Sequence, residues 1–204
     1  SVVGKHAWNL ADWGKIMRPV RQLQVRIAEA YGKKRYRKAK ALQNVLRRSL
    51  AAKMLAVRRV TENTGGKTPG VDGELWNTPG IKWKAVCGLT GRGYRAKPLR
   101  RVYIPKSNGK KRPLGIPVMR DRAMQALHLL CLEPISETTA DTNSYGFRPY
   151  RSCHDAIARC FSLLAKSNSP QWILEGDIKG CFDNISHEWM LKHIPAVSES
   201  ALKT

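Results

Sequence analysis

Positive charge is concentrated in the first three-fifths of this 204-residue chain, and this feature constrains its fold and its partners more than any other. Residues 1–64 carry 16 basic and 3 acidic side chains, and residues 65–122 carry 14 and 3. Residues 123–204 carry 7 and 9, so a polycation is joined to a nearly neutral remainder. Such an excess of Lys and Arg supplies phosphate contacts and predicts a nucleic-acid partner rather than a merely basic surface.

The rest of the composition excludes several classes of protein. Hydrophobic residues make up 42% of the chain, which is enough to form a core and argues against disorder. No apolar run approaches the roughly 18 residues that cross a bilayer, and the first ten residues lack the apolar stretch of a signal peptide. Five cysteines without a CxxC pair disfavour a disulfide framework or a structural zinc site. The composition therefore predicts a cytoplasmic protein without a membrane partner.

A densely basic segment lies between two predicted helical regions near the N-terminus. The first helix is expected to start at Asp12 and to end near Gly32, and an amphipathic run from Leu42 to Val57 predicts a second. The segment between them contains six cations within eight residues: Lys33, Lys34, Arg35, Arg37, Lys38 and Lys40. These side chains form either a solvated helix face or a surface that binds RNA or DNA. The second interpretation is favoured because such charges repel one another without a polyanion.

Turn residues and apolar periodicity predict the elements that follow. Residues 64–73 are rich in Gly, Thr and Pro and are expected to form a loop that ends the helical region. Asn108-Gly109 predicts a tight turn between two short strands, Val102–Ile104 and Arg112–Ile116. A helix capped by Asp121 is expected to end before Pro134. Residues 152–166 are expected to form another helix, with its apolar residues directed inward.

The segment Trp172–Ile178 predicts a buried strand that ends at a carboxylate, Asp177. An acid in that position is directed toward the edge of a sheet, where it needs a cation or a capped backbone to satisfy its charge. Taken alone, the cap would be the simpler interpretation. The surrounding sequence GDIKGCFDNI, with Phe182 five residues after Asp177, favours a metal ligand instead.

Five segments of the chain, taken in order, resemble one protein family. They are TPGVDG (Thr68–Gly73), RRVYIPKSNGKKRPLGIP (Arg100–Pro117), DRAMQALHLLCLEP (Asp121–Pro134), NSYGFRPYRSCHDAI (Asn143–Ile157) and EGDIKGCFDNISH (Glu175–His187). Together they make residues 67 to about 195 similar to the reverse transcriptases encoded by group II introns, which also act as splicing maturases. The basic N-terminal helices resemble the extension that precedes the fingers in these proteins.

The resemblance implies a two-metal centre for nucleotidyl transfer. Asp177 matches the first metal-binding aspartate of the palm, and Ile178 matches the position whose carbonyl helps to hold the second of two Mg²⁺ ions. Phe182 matches the bulky residue under the sugar of the incoming nucleotide, where a ring excludes a 2′-hydroxyl. Core packing of Phe182 would suit the composition equally well.

The resemblance also implies nucleotide and template contacts. Lys106 and Arg112 match basic fingers residues that hold the triphosphate, although a general phosphate contact would explain them too. Asn143, Tyr145 and Arg148 match a loop near the template. In that loop, aromatic side chains either stack on bases or pack.

The fold that the resemblance implies is α/β, with right-hand polymerase fingers and a partial palm after a basic helical N-terminal extension. The expected domains are residues 1–64 for the extension, 65–167 for the fingers with palm-packing helices, and 168–204 for the truncated start of the palm. A palm strand without its neighbours would be open to self-association.

The expected function is that of the N-terminal part of an RNA-directed DNA polymerase that also binds intron RNA. Its implied partners are group II intron RNA, an RNA template with a DNA primer, and deoxynucleoside triphosphates. The 204 residues contain no Asp-Asp pair, which supplies the family's other two carboxylates, so this chain alone is expected to be inactive as a polymerase. A non-catalytic RNA-binding module that assists splicing is the alternative. A basic architectural protein would explain the charge but not the order of the matched motifs.

Overall fold

The computed structural model describes residues 2–91, 93–107 and 109–195, except for the side chains of residues 2–5 and 182. The described chain forms two compact units, residues 2–135 with Pro195 and residues Ser136–Ile194. Among the described helices, none combines the length and the apolar character needed to cross a membrane. In chain order the elements are α1 (Val2–Asn9), α2 (Trp13–Gly32), α3 (Tyr36–Arg48), α4 (Leu50–Glu62), a 3-10 turn (Thr64–Lys67), α5 (Pro79–Gly88), β1 (Arg100–Pro105), β2 (Lys111–Ile116), α6 (Met119–Thr139), α7 (Cys153–Leu164), α8 (Cys181–Asn184) and α9 (His187–His193).

Helix α2 begins where the sequence predicts. The Asp12 carboxylate accepts a hydrogen bond from the Lys15 backbone amide at 3.0 Å, which satisfies one of the free donors of the first turn. Val20 and Ile27 are buried seven residues apart, so they lie on the same face of the helix two turns from each other. Pro19 lies inside the helix, which continues past it and ends after Gly32 as expected.

The second predicted helix is two helices in the structure. The amphipathic run breaks at Ser49, which ends α3 and begins α4 with an extended backbone (φ −66°, ψ 139°). The Ser49 hydroxyl accepts a hydrogen bond from the Ala52 amide at 3.1 Å. Serine competes for backbone hydrogen bonds in this way, so a helix can restart at a new angle without losing its apolar periodicity.

Helix α6 packs in the core of the first unit and continues through Pro134, against the prediction that it would stop there. Proline lacks the amide that would bond to the carbonyl four residues earlier, which is that of Leu130. Gln24 supplies a side-chain donor to this carbonyl at 3.0 Å, and Gln43 donates to the Cys131 carbonyl at 3.0 Å. Two glutamines from α2 and α3 thus bind the carbonyls in the turn before Pro134 and hold α6 against the N-terminal helices.

The hairpin confirms the Asn-Gly prediction, although Asn108 itself lies outside the described residues. Strands β1 and β2 are antiparallel, and Ile104 pairs with Arg112. Beyond the strands, the Lys106 amide donates to the Lys110 carbonyl at 2.7 Å, which extends the pairing to the turn. Gly109 has φ 76°, a value that a tight turn needs and that glycine adopts without strain.

Asp121 is buried inside the first turn of α6 and is not the cap that the sequence predicts. Its carboxylate accepts hydrogen bonds from the Tyr94 hydroxyl at 2.7 Å and from the Lys97 amide at 2.9 Å. The neighbouring Arg122 donates to the carbonyls of Pro117, Gly65 and Thr68, at 2.9, 2.8 and 2.6 Å respectively. These two side chains therefore tie the glycine-rich loop and the segment before β1 to the start of α6.

The second unit has well-capped helices but an exposed apolar face. Ser152 and Asp155 form a reciprocal capping box at the start of α7, as expected for a helix beginning there. The inward packing predicted for this helix is not found, because Ile157, Phe161 and Leu164 are exposed. An apolar face is buried only where another element covers it.

The buried strand predicted over Trp172–Ile178 is also absent from the structure. The segment is irregular, and Trp172 and Leu174 are 95% and 98% exposed. A strand forms only when a neighbour accepts its backbone hydrogen bonds, and none of the described residues pairs with this segment.

Candidate nucleic-acid interface

The six clustered cations lie at the junction of α2 and α3, in residues 33–40, which we name the basic segment. Lys33 and Lys34 form the turn after α2, Arg35 precedes α3, and the remaining three lie in the first turns of α3. All six side chains are exposed, and Ala39 between them is buried in the core. The helices thus fix the backbone of the segment while its charges face solvent.

An aromatic ring lies among these cations. Tyr36 is 54% exposed, and its ring meets that of Tyr31 edge-on with centroids 5.1 Å apart. A concavity of about 450 Å³ is lined by Lys34, Arg35, Tyr36, Arg37 and Lys38. Cations that contact phosphates, combined with a ring on which a base can stack, are the elements of sequence-tolerant binding to single strands.

Lys34 occupies a backbone conformation that usually belongs to glycine. Its φ is 56°, and it follows α2 in a Schellman arrangement. The Lys34 amide donates to the Tyr31 carbonyl at 2.8 Å, and the Arg35 amide donates to the Ala30 carbonyl at 2.8 Å. A lysine held at such a position costs stability, and a strained residue in a charged surface supports a functional role for that surface.

We expect Lys34→Gly to raise the free energy of unfolding by about 0.5–1 kcal/mol, because glycine adopts this conformation without strain. Urea unfolding followed by circular dichroism measures the change. Lys33→Gly is the matched control, since Lys33 has an ordinary φ of −82° and the variant removes the same charge. Equal destabilisation by both variants would contradict the strain at Lys34.

The hairpin brings the two predicted triphosphate contacts to one end and one face. Arg112 lies opposite Ile104, and Lys106 lies opposite Lys110 two residues further toward the turn. Because side chains alternate between the faces of a hairpin, Lys106 and Arg112 project on the same side. Both are exposed. The register thus allows one anion to contact both residues, and their role remains a prediction.

Arg148 holds the loop that was predicted to lie near a template. Its guanidinium forms a two-point contact with the Glu137 carboxylate at 3.0 and 2.8 Å. It also donates to the carbonyls of Asp141 and Ser144 at 2.6 and 2.9 Å. Hydrogen bonding to Arg148 lowers the pKa of Glu137, and the same contact raises the pKa of Arg148. With these bonds in place the guanidinium shapes the loop, and its contact with a template remains a prediction.

The same loop displays two aromatic rings, Phe147 and Tyr150, in addition to Tyr145. Phe147 and Tyr150 have φ values of 59° and 58°, and both side chains are almost fully exposed. Tyr145 is half-buried, and the Asn143 side chain accepts a hydrogen bond from Arg159 at 3.1 Å. Positive φ at two aromatic residues follows from how the loop is tied, so it could not be read from residue types.

Asp177 lies exposed in the irregular segment before α8, not at the tip of a strand. Gly180, with φ 62°, immediately precedes α8, and its carbonyl accepts a hydrogen bond from the Asn184 side chain at 2.8 Å. Ile178 lies in the same irregular segment, so its carbonyl is not fixed by a sheet. The side chain of Phe182, predicted under the nucleotide sugar, lies outside the described residues.

The donor set around Asp177 does not by itself suit a two-metal centre. Across the described residues, no group of three or more His, Cys, Asp or Glu side chains is placed to hold a metal ion. Two ions in catalytic geometry need several carboxylates that bridge them. Asp177 and Ile178 could therefore serve only as part of such a site.

Two family models match the chain in the order that the motifs predict. The N-terminal domain of reverse transcriptase matches residues 8–89. Reverse transcriptase (RNA-dependent DNA polymerase) matches residues 104–202. The first match contains the basic segment, and the second contains most of the hairpin, the Arg148 loop and Asp177.

Curated relatives agree with these matches. The chain is 41% identical over 146 residues to Protein YkfC of Escherichia coli (strain K12), covering 68% of this chain and 38% of YkfC. It is 40% identical over 137 residues to Group II intron-encoded protein LtrA of Lactococcus lactis subsp. cremoris, covering 65% of this chain and 22% of LtrA. It is 32% identical over 69 residues to Nuclear intron maturase 1, mitochondrial, of Arabidopsis thaliana, covering 34% of this chain and 9% of that protein.

The resemblance stated from the motifs is thus confirmed, for a chain that spans well under half the length of these relatives. The helices of residues 2–62 lie largely within the first matched domain, and most of the two-stranded hairpin lies within the second. From the order of the matched domains and the identity of its relatives, the chain belongs to the reverse transcriptase family, and its relatives include a protein encoded by a group II intron.

Proposed function

We propose that this chain is the RNA-binding N-terminal part of a group II intron reverse transcriptase and splicing maturase. The observation that carries the proposal is the six exposed cations at the α2–α3 junction, within the segment that matches the N-terminal domain of reverse transcriptase. A right-hand polymerase fold preceded by a basic extension, with domains 1–64, 65–167 and 168–204, belongs to the same proposal. So does a cytoplasmic location in a bacterial or organellar host.

In the complete enzyme, individual residues would act at the nucleotide. Lys106 and Arg112 would bind the triphosphate from the hairpin, since both project on one face. The loop held by Arg148 would lie along the template. Asp177 and Ile178 would hold part of a divalent metal site, which a reverse transcriptase domain implies in general, and the metal would stabilise the charge that develops on phosphate oxygens.

The 204-residue chain by itself is expected to show no primer extension. Its described residues offer too few carboxylates for two ions, and its sequence contains no Asp-Asp pair. The assay uses purified protein, an RNA template annealed to a DNA primer, all four deoxynucleoside triphosphates and Mg²⁺. Asp177→Ala serves as the control for contaminating polymerases. Extension that depends on Asp177 would contradict this part of the proposal.

The alternative is a non-catalytic RNA-binding module that assists intron splicing without synthesis. The exposed basic segment supports RNA binding in either case, because that function needs no metal site. The two candidates differ in the complete protein, where a reverse transcriptase needs Asp177 for primer extension and a binding module does not. Asp177→Ala in the complete protein should therefore abolish primer extension under the first candidate, whereas splicing assistance should survive the change under the second.

A salt titration tests the RNA-binding proposal that both candidates share. Filter binding to a group II intron RNA is measured between about 50 and 200 mM salt, with excess tRNA as competitor. The logarithm of the association constant is expected to fall by about 0.7–0.9 for each phosphate neutralised, per tenfold rise in salt. If excess tRNA abolishes the binding of intron RNA to the chain, the interaction is only general polyanion binding.

Self-association through the unpaired segment Trp172–Ile178 is a further part of the proposal. Trp172 and Leu174 are almost completely exposed there. The backbone of the segment has no strand neighbour among the described residues. A second copy could supply that neighbour, because unpaired backbone groups next to apolar side chains favour pairing between chains.

A further inference from the structure

A cavity in the first unit lies apart from the basic segment and shares no residue with it. Its volume is about 450 Å³, and it is formed by the segment before α5, by α5 itself and by the first turn of α6. Apolar lining comes from Leu75, Trp76 and Ile81. Trp76 is buried and gives the cavity a fixed aromatic wall, whereas Ile81 is partly exposed at 40%.

Three charged side chains line the same cavity: Glu74, Lys84 and Arg120. All three are exposed, and within the described ranges Glu74 forms no ion pair with either cation. The Arg120 guanidinium lies 5.6 Å from the centre of the Tyr94 ring, which limits its freedom. One negatively charged hydrogen-bond acceptor, Glu74, and two cations thus remain available to a ligand beside an apolar wall.

The size and chemistry of the cavity suit one nucleotide. Ligand cavities of about 300–1,000 Å³ are mostly apolar, with a few polar groups that select the ligand. An unstacked base offers two apolar faces to the wall and a polar edge to hydrogen-bonding groups, and its flanking phosphates suit Lys84 and Arg120. A peptide would also fit an apolar wall, but the strongly positive charge of this part of the chain favours a polyanion.

Glu74 is the group in this cavity whose chemistry can distinguish one base from another. An ionised carboxylate only accepts hydrogen bonds and can take two parallel donors. The Watson–Crick edge of guanine presents two adjacent donors, N1–H and the N2 amine, whereas the corresponding edges of adenine, cytosine and uracil each present a single donor group. We propose that this cavity receives one unpaired guanine of the bound RNA, an inference that rests on the RNA-binding function proposed above.

Two glycines of α5 provide a test that spares the fold. Gly88 lines the cavity and Gly80 does not, and a Cβ atom added at either position would meet nothing within 4 Å. Gly88→Leu is therefore expected to place an apolar side chain in the cavity, and Gly80→Leu is its matched control. The probes are fluorescent single-stranded oligouridines that carry one central guanine, adenine, cytosine or uracil, measured by anisotropy with the 204-residue chain.

The wild-type chain is expected to bind the guanine probe about tenfold more tightly than the other three. Gly88→Leu is expected to reduce this preference to less than about twofold, and Gly80→Leu is expected to keep it. Glu74→Gln is expected to lose the preference while retaining or increasing affinity for all four probes, because it also removes a negative charge near the phosphates.

The outcomes separate this inference from the proposed function. Equal binding of all four probes to the wild-type chain, with intron binding intact, would overturn the guanine site alone. A guanine preference that survives Gly88→Leu would mean that guanine binds elsewhere on the chain, and this result would also overturn the proposed site. Absence of any binding to the probes and to intron RNA would refute both the inference and the RNA-binding function.

Discussion

Removing the charge of the basic segment is expected to weaken binding to intron RNA by about 100-fold or more near 0.1 M salt. Each cation that binds a phosphate releases a counterion, so removing several cations lowers both the affinity and its salt dependence. The slope of log K against log salt should become shallower by about 0.7–0.9 for each phosphate that the variant no longer neutralises. The variant replaces by alanine Lys33, Lys34, Arg35, Arg37, Lys38 and Lys40.

A charge-preserving variant provides the control for this experiment. Exchanging every Lys for Arg and every Arg for Lys in the basic segment keeps its charge while altering each side chain. This variant should retain most of the affinity if phosphate attraction dominates. All six side chains are exposed, so circular dichroism should show the same helix content in both variants and the wild type. Unchanged affinity of the alanine variant would refute the role of the segment.

The unfolding free energy is expected to fall by about 2 kcal/mol at pH 5 and about 3 kcal/mol at pH 4, relative to neutral pH, because of His128 alone. The side chain of His128 is 5% exposed, and its Nε2 has no hydrogen-bond partner among the described residues. Burial, and to a lesser degree the positive charge of Arg47, lower the pKa of His128 from 6.5 to about 4.

The direction of the effect follows from which state takes up the proton. In the folded chain His128 stays neutral until the pH approaches 4, whereas in the unfolded chain it is protonated below about pH 6.5. Acid therefore favours the unfolded chain through this window, and the contribution of His128 is fully present only above it. Urea unfolding at pH 7.5, 5 and 4 measures the fall.

His128→Leu isolates this contribution from other groups that titrate in acid. Leucine is similar in size to histidine and apolar, so it can fill the same core position, and it has no group that binds a proton. Its unfolding free energy should fall less than that of the wild type, and the difference between the two should grow between pH 6.5 and 4. Parallel pH profiles would show that His128 is not buried as described.

Features set by local sequence could be predicted. The start of α2 at Asp12 and the hairpin around Gly109 depend on residues close together in the chain, and both were correct. The family resemblance was also readable, because it rests on the order of short motifs. His128 and Cys131 lie three residues apart on α6, and the apolar periodicity of that helix predicts the core position that both occupy.

Features set by distant partners could not be predicted. The continuation of α6 through Pro134 depends on Gln24 and Gln43, two donors that lie far away in sequence. Likewise, the strand expected at Trp172–Ile178 needs a neighbour that none of the described residues provides.

Neither the positive φ of Lys34 nor the contact between Arg148 and Glu137 could be predicted from residue types, because each depends on hydrogen bonds that form only in the folded chain. In the candidate site, the exposure of the basic segment followed from its charge. The hydrogen bonds by which Arg148 holds its loop could not be predicted in this way.

Ultraviolet crosslinking of the chain to intron RNA, followed by identification of the crosslinked peptides, tests the central claim most directly. If the chain binds RNA as proposed, crosslinks should concentrate in peptides that contain residues 33–40, with Tyr36 as the aromatic contact. They should persist with excess tRNA and disappear at high salt. Crosslinks confined to residues 136–195, or an equal pattern with tRNA alone, would contradict the proposed role of the basic segment.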